Sequence, residues 1–201
     1  MDTPDQRKSK LKIVRDGVVG LTNSPLYAFR LTEKNMPVIG EGSHFASIMF
    51  IGEAPGRTEA KTGRPFVGAA GKILNELLAG AGIKRDDVYI TNIVKDRPPQ
   101  NRDPLPAEIE VYGPFLDTQI EIIQPKVIAT LGRYAMGYIM KKFGLELELE
   151  PISKAHGTQH RAKTSYGEVV IIPLYHPAVA VYNNTTKSTL AKDFEQLKKF
   201  V

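Results

Sequence analysis

The sequence predicts an α/β fold in which a central, mostly parallel four-stranded sheet lies between two layers of helices. Four short apolar runs recur along the chain, as expected of strands that are buried on both faces. Amphipathic stretches with helical periodicity separate these runs, and glycine or proline interrupts the pattern near most junctions. Strands that alternate with helices are typical of a three-layer α/β/α sandwich with a parallel sheet.

The four apolar runs define the predicted strands. The first run stops at a segment rich in glycine and proline, and the third begins directly after Pro125. In chain order, the predicted strands occupy residues 46–51, 88–94, 126–131 and 169–174.

Helices are predicted between these strands from the spacing of the apolar residues. The second begins at Pro106, because proline is favoured in the first helical turn, and Gly113-Pro114 is a candidate kink within it. Residues 1–20 are expected to form an N-terminal helix or arm of a single domain that spans residues 1–201. The other predicted helices occupy residues 71–81, 106–123, 133–143 and 188–200.

Composition excludes several classes of protein. The 201 residues include no cysteine, so disulfides, thiolate metal sites, iron-sulfur clusters and cysteine nucleophiles are excluded. The apolar runs are far shorter than the roughly 20 residues that cross a bilayer, and no apolar segment follows the basic start of the chain. A cytoplasmic location is therefore expected. The net charge of +5 permits an anionic partner without requiring one.

Two familiar motifs are incomplete. Gly71-Lys72 resembles part of a phosphate-binding loop, but no serine or threonine follows it. His156 and His160 have the spacing of a zinc-protease helix, yet Gly157 separates them and no glutamate follows His156. The sequence therefore predicts neither a nucleoside triphosphatase nor a metal site.

The segments that follow the predicted strands are the best candidates for a ligand site. In parallel α/β sheets, ligands bind beyond the carboxyl ends of the strands. The segments at these positions are rich in glycine, proline and functional side chains, which is unusual for plain connections. They are residues 52–56, Asn92 with residues 95–99, Gly132-Arg133, and residues 175–178.

These segments resemble the motifs of the uracil-DNA glycosylase superfamily, family 4 in particular, and they occur in that family's order. The resemblance covers the chain from about Leu21 to its end. The motifs are Gly-Glu-Ala-Pro-Gly at 52–56, Gly-Arg-Pro-Phe-Val-Gly at 63–68, Thr-Asn-Ile-Val-Lys at 91–95, Arg-Pro-Pro at 97–99, Asn-Arg-Asp-Pro at 101–104 and Tyr-His-Pro-Ala at 175–178.

The resemblance implies a monofunctional DNA repair enzyme that acts as a monomer on uracil in single- or double-stranded DNA. Such an enzyme flips the base out of the helix and hydrolyses its bond to deoxyribose. A glycosylase for hypoxanthine or xanthine, or a non-catalytic paralogue that binds DNA or uracil, remains an alternative. A relative that traps uracil covalently would carry a histidine in an extra basic loop, and residues 63–71 contain none.

One feature of family 4 has no counterpart in this chain. Members typically bind an iron-sulfur cluster through four cysteines, and the matching positions here are Leu21, Ser24, Asp96 and Tyr112. These residues cannot supply four thiolates. No cofactor is expected, and the loop from Asp96 to Tyr112 must be held by packing and hydrogen bonds.

By resemblance, Phe66 stacks on uracil and Asn92 recognises it, because one amide can donate to O4 and accept from N3-H. His176 donates to O2 as charge develops on the leaving base. Each also has a structural alternative: Phe66 as a core residue, Asn92 as a turn cap and His176 as packing. The residues expected to bind uracil are Gly52, Glu53, Ala54, Phe66, Asn92 and His176.

The expected catalytic residues are Glu53, His176 and Glu59. Glu53 is the first candidate to position the water or to support the sugar cation, and Glu59 is the second. Where the family usually has a further acid, this chain has Ala60. Glu59 has the alternative of a solvated loop residue.

For DNA binding, Arg97, Arg102 and Lys187 are candidate phosphate contacts, although a solvated surface role is the alternative for each. Pro177 and the segment 179–184, which begins with Val179, resemble the loop that enters the minor groove and fills the gap left by the flipped base.

Overall fold

The computed structural model describes residues 2–181 and 183–201. Within these residues the chain forms one six-stranded sheet with the strand order β1-β3-β2-β4-β6-β5. The inner strands β3, β2, β4 and β6 are parallel, whereas β1 and β5 pair antiparallel at the two edges. The strands are β1 (Glu41–Gly42), β2 (Ile48–Gly52), β3 (Tyr89–Asn92), β4 (Val127–Leu131), β5 (His160–Thr164) and β6 (Gly167–Leu174).

The fold is α/β as predicted, but the prediction of a four-stranded sheet was wrong. All four predicted strands are present and form the parallel centre of the sheet. The two additional edge strands make the sheet mixed. Neither carries an apolar run: β1 has two residues, and β5 buries only Ala162 of its five residues. An edge strand exposes one side to solvent, so it needs no continuous apolar sequence.

Helices follow most strands of the parallel centre. Residues 106–123 form a helix with the predicted bounds, and Pro114 lies within it. In the N-terminal segment, for which a helix or an arm was expected, residues Pro4–Val19 form a helix. The α-helices are α1 (Pro4–Val19), α2 (Tyr27–Thr32), α3 (Arg57–Thr62), α4 (Ala69–Gly80), α5 (Pro106–Ile123), α6 (Arg133–Lys142), α7 (Ile152–Ala155) and α8 (Asn184–Glu195). Short 3₁₀ segments occur in several connections and after α8.

Alternate residues of the central strands enter two apolar clusters, one on each face of the sheet. In β2, Ile48 and Phe50 belong to a cluster with residues of α4 and α8. Met49 and Ile51 belong to a cluster with residues of α1, α5 and α6. Because successive side chains of a strand point to opposite faces, these memberships place helices on both sides of the sheet.

None of the helices in the described part of the chain is long and apolar enough to cross a membrane.

Candidate active site

A cavity of about 470 Å³ lies at the carboxyl ends of the parallel strands, where this class of sheet binds its ligands. It is formed by the segments after β2, β3 and β6 and by the loop that leads into α4. The lining residues that carry the argument are Glu53, Glu59, Phe66, Asn92, Arg102 and His176.

Asn92 is the last residue of β3 and is paired in register with Gly52 of β2. Its side chain is only 1% exposed, and its Oδ1 has no hydrogen-bond partner within the described residues. A Cβ added to Gly52 would lie 2.4 Å from this oxygen and 2.7 Å from the Phe66 ring. The absence of a side chain at Gly52 therefore leaves space between the Asn92 amide and the ring.

Phe66 lies in the loop before α4 with a φ of 49°, a left-handed conformation that is unusual for an aromatic residue. The start of α4 packs against its main chain, because a Cβ on Gly71 would lie 1.9 Å from the Phe66 carbonyl oxygen. The ring belongs to the apolar cluster of α4 and α8 and also lines the cavity, and its centroid is 5.6 Å from that of His176. Phe66 is thus both a core residue and part of the cavity wall.

His176 follows β6 and caps the 3₁₀ turn Pro177–Ala180. The main-chain amide of Ala178 donates to its Nδ1 at 3.2 Å, so the neutral ring carries its proton on Nε2. Burial lowers the pKa of His176 to about 4, although the nearby Glu59 opposes this shift. At neutral pH the imidazole is therefore an uncharged donor at the cavity wall.

Glu53 is half-buried directly after β2 and lines the cavity. Burial raises its pKa to about 7; the negative charge of Asp103 adds to the shift and Arg133 opposes it. A carboxyl group with this pKa exchanges a proton readily at neutral pH, as a general base must.

Glu59 lies in α3 and uses its carboxylate within the protein. Its Oε1 accepts hydrogen bonds from the amides of Val67 and Gly68, at 3.0 and 2.7 Å. These contacts hold the loop that carries Phe66. The half-buried position and the two bonds do not match the alternative of a solvated loop residue.

Two of the basic residues considered for phosphate contact form hydrogen bonds within the protein, although the Arg102 side chain is still partly exposed. Arg97 is 6% exposed and donates from Nε to Asn101 Oδ1 at 2.6 Å, which does not support a phosphate contact. Arg102 lines the cavity and forms two hydrogen bonds with the buried Glu108, at 2.6 and 2.9 Å.

The remaining DNA-binding candidates lie at or near the segment after β6. Lys187 is on α8 and forms an ion pair with Glu76 of α4. Pro177 is buried, whereas Val179 is 48% exposed beside the cavity-lining Ala178. Tyr182, within the segment considered for the minor groove, lies outside the described residues.

The four residues expected from the resemblance to occupy the positions of the cluster ligands do not fit an iron-sulfur cluster. The Tyr112 hydroxyl lies 2.7 Å from Ser24 Oγ and donates to Asp96 Oδ2 at 2.5 Å. Arg30 donates to the same Asp96 oxygen at 3.2 Å, and Leu21 packs against the adjoining apolar cluster. Ser24 Oγ, the Tyr112 hydroxyl and Asp96 Oδ2 are thus hydrogen-bonded, whereas Asp96 Oδ1 is buried with no partner among the described residues, and none of these oxygens can replace a thiolate. Among residues 2–181 and 183–201, no group of three or more histidine, cysteine, aspartate or glutamate residues is placed to hold a metal ion.

Several cavity features were not predicted individually. Arg57 and Thr58 line the cavity directly after the first motif, and Asn101 lines it from a left-handed conformation with φ 56°. Asp103 and Arg133 act on Glu53 by their charges. The sequence could have indicated both residues, because Asp103 lies within the Asn-Arg-Asp-Pro motif and Arg133 follows a predicted strand.

Comparison with known protein families assigns the chain. Residues 39–199 match the model of the Uracil DNA glycosylase superfamily. The matched region contains all six strands of the described sheet, since β1 begins at Glu41 and β6 ends at Leu174. The chain belongs to the uracil-DNA glycosylase superfamily.

Individual relatives place it closer to one branch. The chain is 44% identical over 190 residues to the type-4 uracil-DNA glycosylase of Sulfurisphaera tokodaii, which covers 94% of this chain and 84% of that protein. It is 46% identical over 160 residues to the type-4 enzyme of Archaeoglobus fulgidus, covering 80% and 79% of the two chains. The type-4 enzyme of Saccharolobus solfataricus is 43% identical over 190 residues, covering 94% and 85%.

Proposed function

We propose that this chain is a monofunctional uracil-DNA glycosylase that flips uracil out of DNA and hydrolyses its N-glycosidic bond. The names of the type-4 relatives support this assignment, as does their coverage of most of the chain. The observation that carries the proposal is the arrangement of one cavity, in which an unpartnered buried amide, an aromatic ring and a neutral imidazole lie together.

The Asn92 amide is the group that selects the base. It can donate to uracil O4 and accept from N3-H, and Oδ1 is buried without a partner until such a base arrives. Cytosine presents a donor and an acceptor in the reverse order, so binding it would leave buried polar groups unpaired. Mismatches of this kind reject the wrong ligand by about 10⁴-fold or more.

Phe66 provides the stacking surface. Its ring is held by Glu59 through the loop and by the close approach of Gly71, so the surface exists before the base enters. Stacking on a fixed aromatic ring is worth roughly 1–3 kcal/mol per base, which offsets part of the cost of flipping. Gly52 and Ala54 shape the same wall.

Hydrolysis breaks the bond between C1′ of deoxyribose and N1 of uracil, and the bonding electrons leave with the base. His176 donates from Nε2 to O2 and stabilises the anion without becoming charged. Glu53, in its ionised form, positions water against C1′ and accepts a proton as the new C–O bond forms. The proton taken up by Glu53 then passes through solvent to the uracil anion, so the products are free uracil and an abasic site, and Glu53 is again ionised. Glu59 acts as a positioning residue.

DNA is held at the mouth of the cavity. Arg102, the glycine-rich loops and Lys187, on release from Glu76, supply phosphate contacts, which position the backbone without reading sequence. Val179 is exposed and apolar beside the cavity, which suits a wedge that fills the space of the flipped base.

The deciding experiment incubates the purified protein with uracil-containing single- and double-stranded oligonucleotides and then cleaves abasic sites with alkali. We expect strand scission at uracil and none at cytosine or thymine. Replacement of Asn92 or His176 by alanine should lower the rate at least about tenfold. Absence of cleavage on both substrates would refute the proposal, and full activity in both variants would show that the base binds elsewhere.

A further inference from the structure

The side chain of Lys95 is buried within the protein and does not line the cavity. It is 0% exposed, which is exceptional for lysine, and it is three residues beyond Asn92. No carboxylate pairs with it among the hydrogen bonds and ion pairs of the described residues. A buried amine of this kind requires a structural or functional explanation.

Three oxygen atoms surround the Lys95 nitrogen. Nζ lies 2.6 Å from the main-chain carbonyl of Asn92, 2.8 Å from Thr91 Oγ1 and 2.5 Å from Gln119 Oε1. The Thr91 hydroxyl gives its own proton to the Ile39 carbonyl at 2.6 Å, so it accepts from Lys95. Three acceptors match the three N–H groups of an ammonium ion.

Gln119 fixes this arrangement from α5. Its Nε2 donates to the Ile39 carbonyl at 2.9 Å and to the Tyr89 hydroxyl at 3.0 Å, so its Oε1 must face Lys95. Burial lowers the pKa of Lys95 well below its ordinary value. The three hydrogen bonds, rather than a charge partner, therefore hold the amine in place.

The contact with Asn92 falls where the sheet ends. The amides of Ile93 and Val94 continue the pairing with β2 by donating to the carbonyls of Gly52 and Glu53, each at 3.0 Å. The Asn92 carbonyl instead accepts from Lys95. Lys95 therefore fixes the peptide plane directly after the residue whose side chain lines the cavity.

We infer that Lys95 is a positioning residue of the base site, whose amine holds the Asn92 main chain so that the Asn92 amide meets the base in one orientation. This inference rests on the proposed function and adds a residue to it. A displacement of about 1 Å at such a group can lower a rate by about 100-fold, so the amine is expected to affect turnover more than DNA binding.

The absence of cysteine allows a test by chemical replacement. In K95C the new thiol is the only one in the chain. Alkylation of the unfolded protein with 2-bromoethylamine, followed by refolding, displaces bromide and gives a side chain with an amine at the position of Nζ. Alkylation with 1-bromopropane gives the same length without the amine. Wild-type protein taken through both treatments controls for refolding.

We expect the propyl form to have a kcat at least about tenfold below wild type with little change in KM, and the aminoethyl form to recover most of it. R7M is the matched control for the loss of a buried basic side chain. Arg7 is 5% exposed, donates to the carbonyls of His44 and Ile123, and does not line the cavity. R7M should lower the urea midpoint while the folded protein keeps its kcat.

Equal activity of the aminoethyl and propyl forms, with treated wild type active, would overturn the inference. The side-chain amide resonances of Asn92, assigned by their loss in N92D, provide a second measurement that needs no turnover. They should shift in the propyl form and return in the aminoethyl form. If wild type fails to cleave uracil, the proposed function fails, whereas unchanged Asn92 resonances would refute the role of Lys95 by themselves.

Discussion

Glu59 Oε1 lies 2.7 Å from the main-chain nitrogen of Gly68, and this contact fixes the loop that carries Phe66. The same oxygen accepts from Val67 at 3.0 Å. Glu59 precedes Val67 by eight residues, so the carboxylate joins α3 to the entry of α4 across the wall of the cavity.

The first prediction concerns the role of Glu59. In E59Q the amide oxygen can still accept both hydrogen bonds, so kcat should remain within about threefold of wild type. In E59A the loop loses both bonds, and kcat should fall at least about tenfold because Phe66 is no longer held. Single-turnover rates on a uracil oligonucleotide provide the measurement. Equal, large losses in the two variants would instead indicate that the carboxylate acts on the water.

The second prediction follows from the space above Gly52. G52A places a methyl group 2.4 Å from Asn92 Oδ1 and 2.7 Å from the Phe66 ring, in the volume assigned to the base. Cleavage should fall at least about 100-fold while binding to undamaged DNA is retained.

Gly137 provides the matched control for this substitution. It lies inside α6 with nothing within 4 Å of an added Cβ. G137A should therefore keep full activity and gain about 0.5–1 kcal/mol in the free energy of unfolding. Normal cleavage by G52A would mean that the base does not occupy this space.

The third prediction concerns pH. Because burial and Asp103 raise the pKa of Glu53 to about 7, the ionised form decreases as the pH falls through that value. If ionised Glu53 positions the water and accepts its proton, log kcat should rise with pH below about 7 and level off above it. D103N removes a negative charge and should move the inflection to lower pH. E53Q should be slow and lack the inflection, and an unchanged inflection in E53Q would assign it to another group.

Most of the fold could be predicted because the central strands are buried on both faces. β2, β3, β4 and the last six residues of β6 are buried throughout, which favours the mostly apolar runs that identify them in the sequence. The edge strands are half-solvated and carry no such run. His160 and Arg161 of β5 pair with Ile171 and Val170, and only this tertiary pairing makes them a strand.

The position of the candidate cavity could also be predicted, because its lining residues follow the strand ends and form motifs. The contacts that each side chain makes could not be predicted, because they depend on which distant segments the fold brings together. Glu59 accepts hydrogen bonds from the main-chain amides of Val67 and Gly68. Arg97 donates to Asn101. Lys95 donates to the buried Gln119. Sequence identifies these residues as polar and close to motifs, but it does not reveal which partner a folded chain brings to them.

The fourth prediction concerns the network at the positions of the cluster ligands. The Tyr112 hydroxyl forms hydrogen bonds with Ser24 and Asp96, and all three residues are buried. Y112F removes the hydroxyl, so Ser24 and Asp96 each lose one hydrogen bond. The free energy of unfolding should fall by about 1–3 kcal/mol, measured in urea. Y138F removes a hydroxyl that bonds to the half-buried Asp117, and should cost less.

The same network predicts the colour and metal content of the protein. Purified protein should show no visible absorption and no stoichiometric iron, because Leu21, Ser24, Asp96 and Tyr112 provide no thiolate. Bound iron in elemental analysis, or a Y112F variant as stable as wild type, would contradict the structural role assigned to these residues.

The fifth prediction concerns Val179, the exposed apolar side chain beside the cavity. A wedge is needed only where a base must leave a duplex, since a single strand is already unstacked. V179A should therefore lower cleavage of double-stranded substrate at least about fivefold and leave single-stranded cleavage within about twofold. L147A is the control, because Leu147 is an exposed apolar residue that lies outside both the cavity and the segment after β6. Equal losses on both substrates in V179A would show that Val179 supports the cavity itself rather than the opening of the duplex.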